Sequence, residues 1–211
     1  IGDTIHGGYV TATNGTGADA LAISATGISG EATIKNGTAD DAYSGFGTGL
    51  EWYGQLNCAM AVRLKTDDIA ATKIEVGFTD ATDDAGACND LDGASFTATD
   101  CAVWAFDTDD TDDNWKLAST PDGGTTDTVT DTEIAPVAAT YETLIVALED
   151  TAAHFYRLDS NGYQTYKASH TTGPSKDVAL TPWVFTQTRE GSDEKTVTID
   201  FIKVWQRRTV S

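Results

Sequence analysis

The chain has 211 residues, enough to bury a hydrophobic core as one larger all-β domain or as two small domains. Its 33 acidic residues against 13 Lys and Arg give a formal net charge of −20. This charge repels partners that present phosphates, so we predict no binding to nucleic acid or to an anionic membrane surface. The sequence has no apolar run of bilayer-spanning length and no secretory signal pattern at its start, so we expect neither feature.

The composition favours strands joined by turns. There are 34 threonines and 20 glycines, and 25 aspartates stand against only 8 glutamates. Threonine is common in strands, whereas aspartate and glycine are common in turns. Hydrophobic residues make up 40% of the chain, too many for a disordered acidic segment. The composition therefore predicts an all-β protein.

The first 45 residues have weaker periodicity than the rest. We predict an extended N-terminal arm over Ile1 to Asn14 and edge strands over Ala20 to Ser24 and Glu31 to Lys35. The predicted division is therefore residues 1–45 as arm and edge strands and residues 46–211 as a sandwich, together forming one domain.

Strand periodicity dominates the remaining sequence. The segment Leu50 to Lys65 alternates so that Met60, Val62 and Leu64 share one face, which predicts a long half-buried strand. In the last predicted strand, Ile199 and Phe201 fall on one face and the apolar residues later cover both faces, which favours a central position in a sheet. Thr66 to Thr72 is predicted as a single helical turn. Further strands are predicted at Lys73 to Phe78, Ala102 to Phe106, Thr143 to Glu149, His154 to Leu158, Trp183 to Thr188 and Thr196 to Trp205.

An acidic run follows the strand that ends at Phe106. Hard divalent cations bind six to eight oxygen atoms, which alternate carboxylates in a loop can supply. The run lacks the glycine and the final glutamate of an EF-hand loop, so an EF-hand is excluded. A looser calcium site and a solvated acidic loop both remain open. The predicted calcium ligands are Asp107, Asp109, Asp110, Asp112 and Asn114.

Two cysteines frame the preceding acidic loop. Cys88 and Cys101 are thirteen positions apart, and a disulfide between them would stabilise the fold by about 3 kcal/mol in the chain-entropy model. Two free thiols are the alternative in a reducing compartment. Cys58 is predicted to be a buried thiol.

The tryptophans offer a binding surface as an alternative to core packing. Trp104, Trp183 and Trp205 lie in apolar strands and are predicted to be buried. Trp115 directly follows the acidic run and is predicted to be exposed and to face a ligand, such as a glycan that stacks on its ring.

Three phrases carry a family resemblance. They are KIEVGFTDA from Lys73, DCAVWAFDTD from Asp100, and IDFIKVW from Ile199. In this order they resemble the concanavalin A-like and laminin-G-like jelly rolls, above all those of tailed-phage virion proteins. The resemblance implies an all-β, two-sheet antiparallel jelly-roll sandwich with an extended N-terminal arm.

The same resemblance implies a structural role in a virion. We expect a non-enzymatic capsid decoration or cement protein that forms a homo-oligomer, contacts capsid protein or other virion subunits, and lies on the capsid surface. The alternative is a lectin-like, glycan-binding adhesion module of a phage tail fibre or of an extracellular cell surface. An enzyme is not expected, because the chain lacks the E-x-D-x-E string of jelly-roll glucanases and any G-x-S-x-G motif.

Overall fold

The structure is a computed structural model that describes residues 10–14, 18–23, 30–82, 86–123, 126–190 and 193–207. This part of the chain is built from strands and one short 3-10 helix, Gly54–Leu56. The strands are β1 (Val10–Asn14), β2 (Ala18–Ile23), β3 (Ala32–Asn36), β4 (Tyr43–Gly47), β5 (Ala59–Thr66), β6 (Thr72–Thr79), β7 (Cys88–Asp90), β8 (Ser95–Phe96), β9 (Cys101–Asp107), β10 (Lys116–Thr120), β11 (Thr128–Asp131), β12 (Glu142–Glu149), β13 (Ala152–Leu158), β14 (Gln164–His170), β15 (Thr181–Thr188) and β16 (Thr196–Trp205). Over the described residues, no helix is both long and apolar enough to span a bilayer.

Two seven-stranded antiparallel sheets form a sandwich. Sheet A has the strand order β1-β4-β15-β6-β9-β10-β11, and sheet B has the order β14-β13-β12-β5-β16-β3-β2. Strands that are neighbours in a sheet are often far apart in the sequence, as in a jelly roll. The predicted fold class, an all-β two-sheet antiparallel jelly roll, is confirmed.

The main core lies between the sheets. Alternate residues of each strand point inward, as the period of two requires. From sheet B the core receives Met60, Val62 and Leu64, and from sheet A it receives Trp104 and Phe106, all with at most 1% exposure.

A second, smaller core lies on the outer face of sheet A. Cys101, Val103 and Ala105 of β9 point outward, yet they are buried beneath the loop that carries β7 and β8. Ala87, Leu91 and other residues of that loop pack directly on them, so β9 is buried on both faces. We call the loop residues 86–98 the cover segment.

Most of the predicted strands are confirmed, and their ends shift by one or two residues. The long strand predicted from Leu50 is wrong in its first half: β5 begins at Ala59, after the 3-10 helix and Asn57, whose φ of 48° turns the chain. The helical turn predicted at Thr66 to Thr72 is also wrong, because Thr66 ends β5, Thr72 begins β6, and residues 67–71 form an irregular connection with bends.

The N-terminal predictions are only partly covered by the structure. Of the arm predicted over Ile1 to Asn14, residues 10–14 form β1 at the edge of sheet A, and residues 1–9 lie outside the described residues. The strands predicted over Ala20 to Ser24 and Glu31 to Lys35 correspond to β2 and β3, with Ser24 outside the described residues. β2 is at the edge of sheet B, whereas β3 is not an edge strand, because it pairs with both β2 and β16. The division of the chain at residue 45 stays a prediction, and residue 45 itself lies within β4.

Candidate functional site

The outer face of sheet A is closed by a buried ion pair and the cover segment. Lys73 Nζ lies 3.2 Å from Glu75 Oε1, and both side chains are at most 1% exposed. The Glu75 carboxylate also accepts hydrogen bonds from the backbone N–H groups of Ala87 (2.6 Å) and Cys88 (2.9 Å). Lys73 donates to the carbonyl of Cys88. Charged groups on β6 therefore hold the cover segment in place and are shielded from ligands.

The structure brings the two loop cysteines together. Cys88 and Cys101 are both fully buried in the second core, and their thiols are hydrogen-bond neighbours. They are present as thiols, as is Cys58, whose pKa burial raises to about 12. A disulfide between Cys88 and Cys101 stays a prediction; the structure shows that the two thiols contact each other.

The acidic run forms ion pairs with cations of the chain itself. Asp107 is buried and forms a two-point salt bridge with Arg189, whose Nε lies 2.8 Å from Asp107 Oδ1. Asp110 Oδ2 lies 3.1 Å from Lys116 Nζ, and this buried ammonium also contacts Asp92 at 2.5 Å. Two of the predicted calcium ligands are therefore already neutralised.

The remaining predicted ligands do not complete a metal site. Asp109 lies 3.6 Å from Arg189, Asp112 is exposed, and Asn114 Nδ2 contacts Asp131 at 3.4 Å. Across the described part of the chain, no group of three or more His, Cys, Asp or Glu side chains has the arrangement of a metal site. Arg189 and Lys116 form ion pairs with three carboxylates of this set, so the donor set does not fit calcium.

The prediction that Trp115 is exposed and faces a ligand is wrong. Its side chain is 0% exposed, and its Nε1 donates to Glu142 Oε1 at 3.0 Å. The indole packs edge-on against Trp104 with 6.4 Å between ring centroids. Trp115 precedes β10, where its ring turns into the space between the sheets, so the neighbouring acidic run does not predict its exposure.

A buried serine–histidine pair lies at one end of the core. Ser119 Oγ is 2.7 Å from His170 Nδ1, and Thr130 Oγ1 is 3.1 Å from His170 Nε2. Ser119 is 0% exposed and its hydroxyl also contacts the carbonyl of Thr172 at 2.9 Å. Burial lowers the pKa of His170 to about 4, so the imidazole is neutral at pH 7.

This pKa predicts a loss of stability in mild acid. His170 is neutral in both states above pH 6.5, so it makes no pH-dependent contribution there. Below that pH His170 binds a proton in the unfolded chain, whereas in the folded chain it stays neutral until about pH 4. The free energy of unfolding should therefore fall by about 2 kcal/mol between pH 7 and pH 4.5 through this residue. Urea unfolding of wild type and His170→Gln at both values measures it, and equal pH dependence in the two proteins would contradict the assignment.

The solvent-facing side of sheet B carries partly exposed aromatic rings, whereas the outward rings of sheet A, Trp183 and Phe185, are 0% exposed. We call the solvent-facing side of sheet B the B face. The strand register aligns outward side chains of five neighbouring strands in two rows across the middle of this face. One row is Lys167, Tyr156, Ile145, Ala61 and Lys203, and the next is Ser169, His154, Ala147, Ala59 and Trp205.

The side chains in the middle of the B face are mostly small, and those on either side include large rings. Small side chains lie on the two central strands, Ala59 and Ala61 of β5 and Ala147 of β12, and Ala59 and Ala61 are 4% and 8% exposed. On one side stand Tyr156 and His154, and on the other stands Trp205, which is 50% exposed. We call this strip of small side chains between the rings the trough; the strands that carry the rings, β13 and β16, are three strand spacings apart, or roughly 14 Å.

Polar side chains lie beside the rings of the trough. His154 Nδ1 lies 2.8 Å from Ser169 Oγ, and Lys167 Nζ lies 5.5 Å from the centroid of the Tyr156 ring. Across the trough, Lys203 Nζ lies 5.1 Å from the centroid of the Phe201 ring.

Trp205 was predicted to be buried, and this prediction is wrong for a specific reason. β16 has a register shift between Ile199 and Phe201, so Asp200 forms a bulge. A bulge moves the following residues to the opposite face. Ile202 and Val204 consequently pack toward the core, whereas Phe201, Lys203 and Trp205 lie on the B face. The double-faced apolar pattern at the end of β16 was the available signal for this switch.

Comparisons with known proteins identify the fold. No protein family matches the sequence, and no curated protein is significantly similar to it. Among solved structures, a protein of unknown function from Shewanella oneidensis MR-1 is similar with a TM-score of 0.67 and 15% identity, covering 96% of this chain and 80% of that one. The exoplasmic/lumenal domain of VIP36, bound to Ca²⁺ and Man3GlcNAc, is similar with a TM-score of 0.61 and 8% identity, covering 96% and 85%. The fold is a concanavalin A-like jelly roll.

A third similarity corrects the prediction that this chain is not an enzyme. A family 7 alginate lyase, A1-II′, is similar with a TM-score of 0.56 and 14% identity, covering 89% of this chain and 83% of the lyase. The same fold therefore carries enzymes as well as lectins. The exclusion rested on the absence of glucanase and serine-hydrolase motifs, and a fold shared with lyases overturns it, because a lyase needs neither motif.

None of these three similar structures is described as a virion protein. The capsid decoration role, the capsid partners, the homo-oligomer and the virion location consequently stay predictions from the resemblance. Calcium is bound in the VIP36 structure, whereas the acidic run of this chain does not provide a fitting donor set.

Proposed function

We propose that this protein binds carbohydrate chains on the B face. The observation that carries the proposal is the half-exposed indole of Trp205, which lies across the strip of small side chains from the partly exposed rings of Tyr156 and His154. Sugar rings present flat C–H faces that pack on aromatic rings, and their hydroxyl groups bond to polar side chains at the edge.

The exposure of Trp205 supports a ligand on this surface. A large ring half exposed on a sheet face loses hydrophobic stabilisation unless something covers it, and exposed apolar patches with polar rims often mark binding sites. The other exposed large apolar side chains of the described chain, Leu50, Val137 and Tyr163, lie in loops. The B face thus carries the exposed ring that a strand holds in a defined position.

The similarity of fold to VIP36, solved with a mannose-containing glycan, agrees with this proposal. On the outer face of sheet A, the cover segment lies over β9, and the outward rings of β15, Trp183 and Phe185, are 0% exposed. A carbohydrate-binding role agrees with the alternative function expected from the sequence, an adhesion module of a phage tail fibre or of an extracellular cell surface.

Replacement of Trp205 by Ala tests the proposal. Trp205 is at the end of β16 and half exposed, so the variant should fold with a free energy of unfolding within about 1 kcal/mol of wild type. Binding on a glycan array, followed by titration calorimetry with the best glycan, should weaken at least tenfold, since a central tryptophan commonly dominates a binding surface.

The matched control is Tyr163→Ala. Tyr163 is 72% exposed, but it lies in the turn between β13 and β14, away from the trough. This variant should bind like wild type. Equal loss in both variants, or unchanged binding of Trp205→Ala, would place the carbohydrate elsewhere, and an array without any bound glycan would reject the proposal.

A further inference from the structure

The charges of the B face differ from those of the whole molecule. The chain carries a net charge of −20. Lys35 of β3 lies on the B face and is paired with Glu194 at 2.8 Å. On the five strands that the two rows cross, four further cationic side chains lie on this face according to the strand register, Arg63, Lys65, Lys167 and Lys203. Three carboxylates accompany them, so the local sum is four minus three, or +1. Those carboxylates are Glu31, Glu149 and Asp200.

The carboxylates are distributed unevenly over the face. Asp200 lies 2.6 Å from Arg63, and Glu31 lies 3.9 Å from Lys65, so both neutralise cations at one end. Glu149 lies 3.7 Å from His154 Nε2. Among the described residues, Lys167 and Lys203 have no carboxylate within 4 Å; each lies instead near an aromatic ring.

Lys167 and Lys203 occupy the two ends of a single row. The row crosses β14, β13, β12, β5 and β16, so four strand spacings separate the two backbones, or about 19 Å. Tyr156, Ile145 and Ala61 lie between them. An extended oligosaccharide that runs along this row, across the strands and across the trough, meets one ammonium group near each end and an aromatic ring in between.

We infer that the ligand of the B face is an anionic polysaccharide, with carboxylate or sulfate groups that contact Lys167 and Lys203. This inference rests on the proposed carbohydrate-binding function. The rest of an acidic protein repels such a chain, so the two lysines select where it lies, and electrostatic complementarity contributes specificity more than total affinity.

Paired probes test the inference. The carboxylate pair is oligogalacturonate and its methyl ester, and the sulfate pair is dextran sulfate and dextran, each titrated by calorimetry at low and at physiological salt. Wild type should bind at least one anionic probe about tenfold more tightly than its neutral partner, and salt should weaken that binding. Which pair shows the difference identifies the anionic group.

The double variant Lys167→Gln/Lys203→Gln should lose about tenfold in affinity for the anionic probe and remain unchanged toward the neutral one. Lys176→Gln is the matched control, because Lys176 is exposed in the loop before β15 and should not affect binding. Equal binding of charged and neutral probes that still depends on Trp205 would overturn the anionic inference and leave the proposed function intact. Absence of binding to every probe would overturn the inference, and a blank glycan array would in addition reject the function.

Discussion

Replacing Lys73 by Met is expected to lower the free energy of unfolding by about 3 to 5 kcal/mol, the usual cost of removing one partner of a buried ion pair. Glu75 is 0% exposed and would lose the ammonium that lies 3.2 Å from its carboxylate. The N–H groups of Ala87 and Cys88 would still bond to it, but they carry no net charge. Chemical denaturation followed by fluorescence measures the loss.

The double variant Lys73→Met/Glu75→Gln is the control for this effect. The neutral amide oxygen introduced at position 75 can still accept a hydrogen bond from a backbone N–H of the cover segment. At least half of the lost free energy of unfolding should therefore return. A single variant that loses less than about 1 kcal/mol would contradict the claim that this pair fastens the cover segment to sheet A.

Oxidative refolding is expected to join Cys88 to Cys101 and to raise stability by about 3 kcal/mol, or the melting temperature by about 6 to 12 °C. The thiols are already neighbours in the second core. Burial raises the pKa of Cys88 well above its ordinary value, so its reactive thiolate is scarce in the folded protein. The bond should therefore form with glutathione disulfide during refolding and only slowly afterwards.

Non-reducing peptide mass spectrometry identifies the bridge, and melting with and without reductant measures its effect. Cys101→Ser should abolish both the crosslink and the reductant dependence, whereas Cys58→Ser should leave the crosslink in place. Three free thiols after refolding in oxidant would show that the two positions do not form a disulfide.

Much of the fold follows from the sequence because alternation is a local signal. β6, β9, β12, β13 and β16 are each found in the predicted positions, since their alternating or apolar runs are uninterrupted. β4 was missed because its sequence, YSGFG, contains two glycines that weaken a strand pattern. Those glycines are required by packing, since a Cβ at Gly45 would lie 2.3 Å from the Trp183 ring.

The candidate site was harder to predict than the fold. Trp115 was predicted to be exposed and Trp205 to be buried, and the structure shows the reverse. The first depends on the hydrogen bond from Trp115 to Glu142, and the second depends on the bulge at Asp200. Likewise, the acidic run lacks a metal geometry because Arg189, eighty-two positions away from Asp107, pairs with it. Sequence spacing around a single loop contains no information about such distant partners.

Hydroxyl-radical footprinting with and without bound glycan tests the central claim most directly, because it reports which side chains a ligand covers. The account predicts that the glycan protects Trp205 and Tyr156 on the B face and leaves Tyr163, which is 72% exposed in the adjoining turn, unchanged. Protection at Tyr163 or in the loops around Leu50 and Val137, with Trp205 oxidised as fast as in the free protein, would contradict a binding site on the B face.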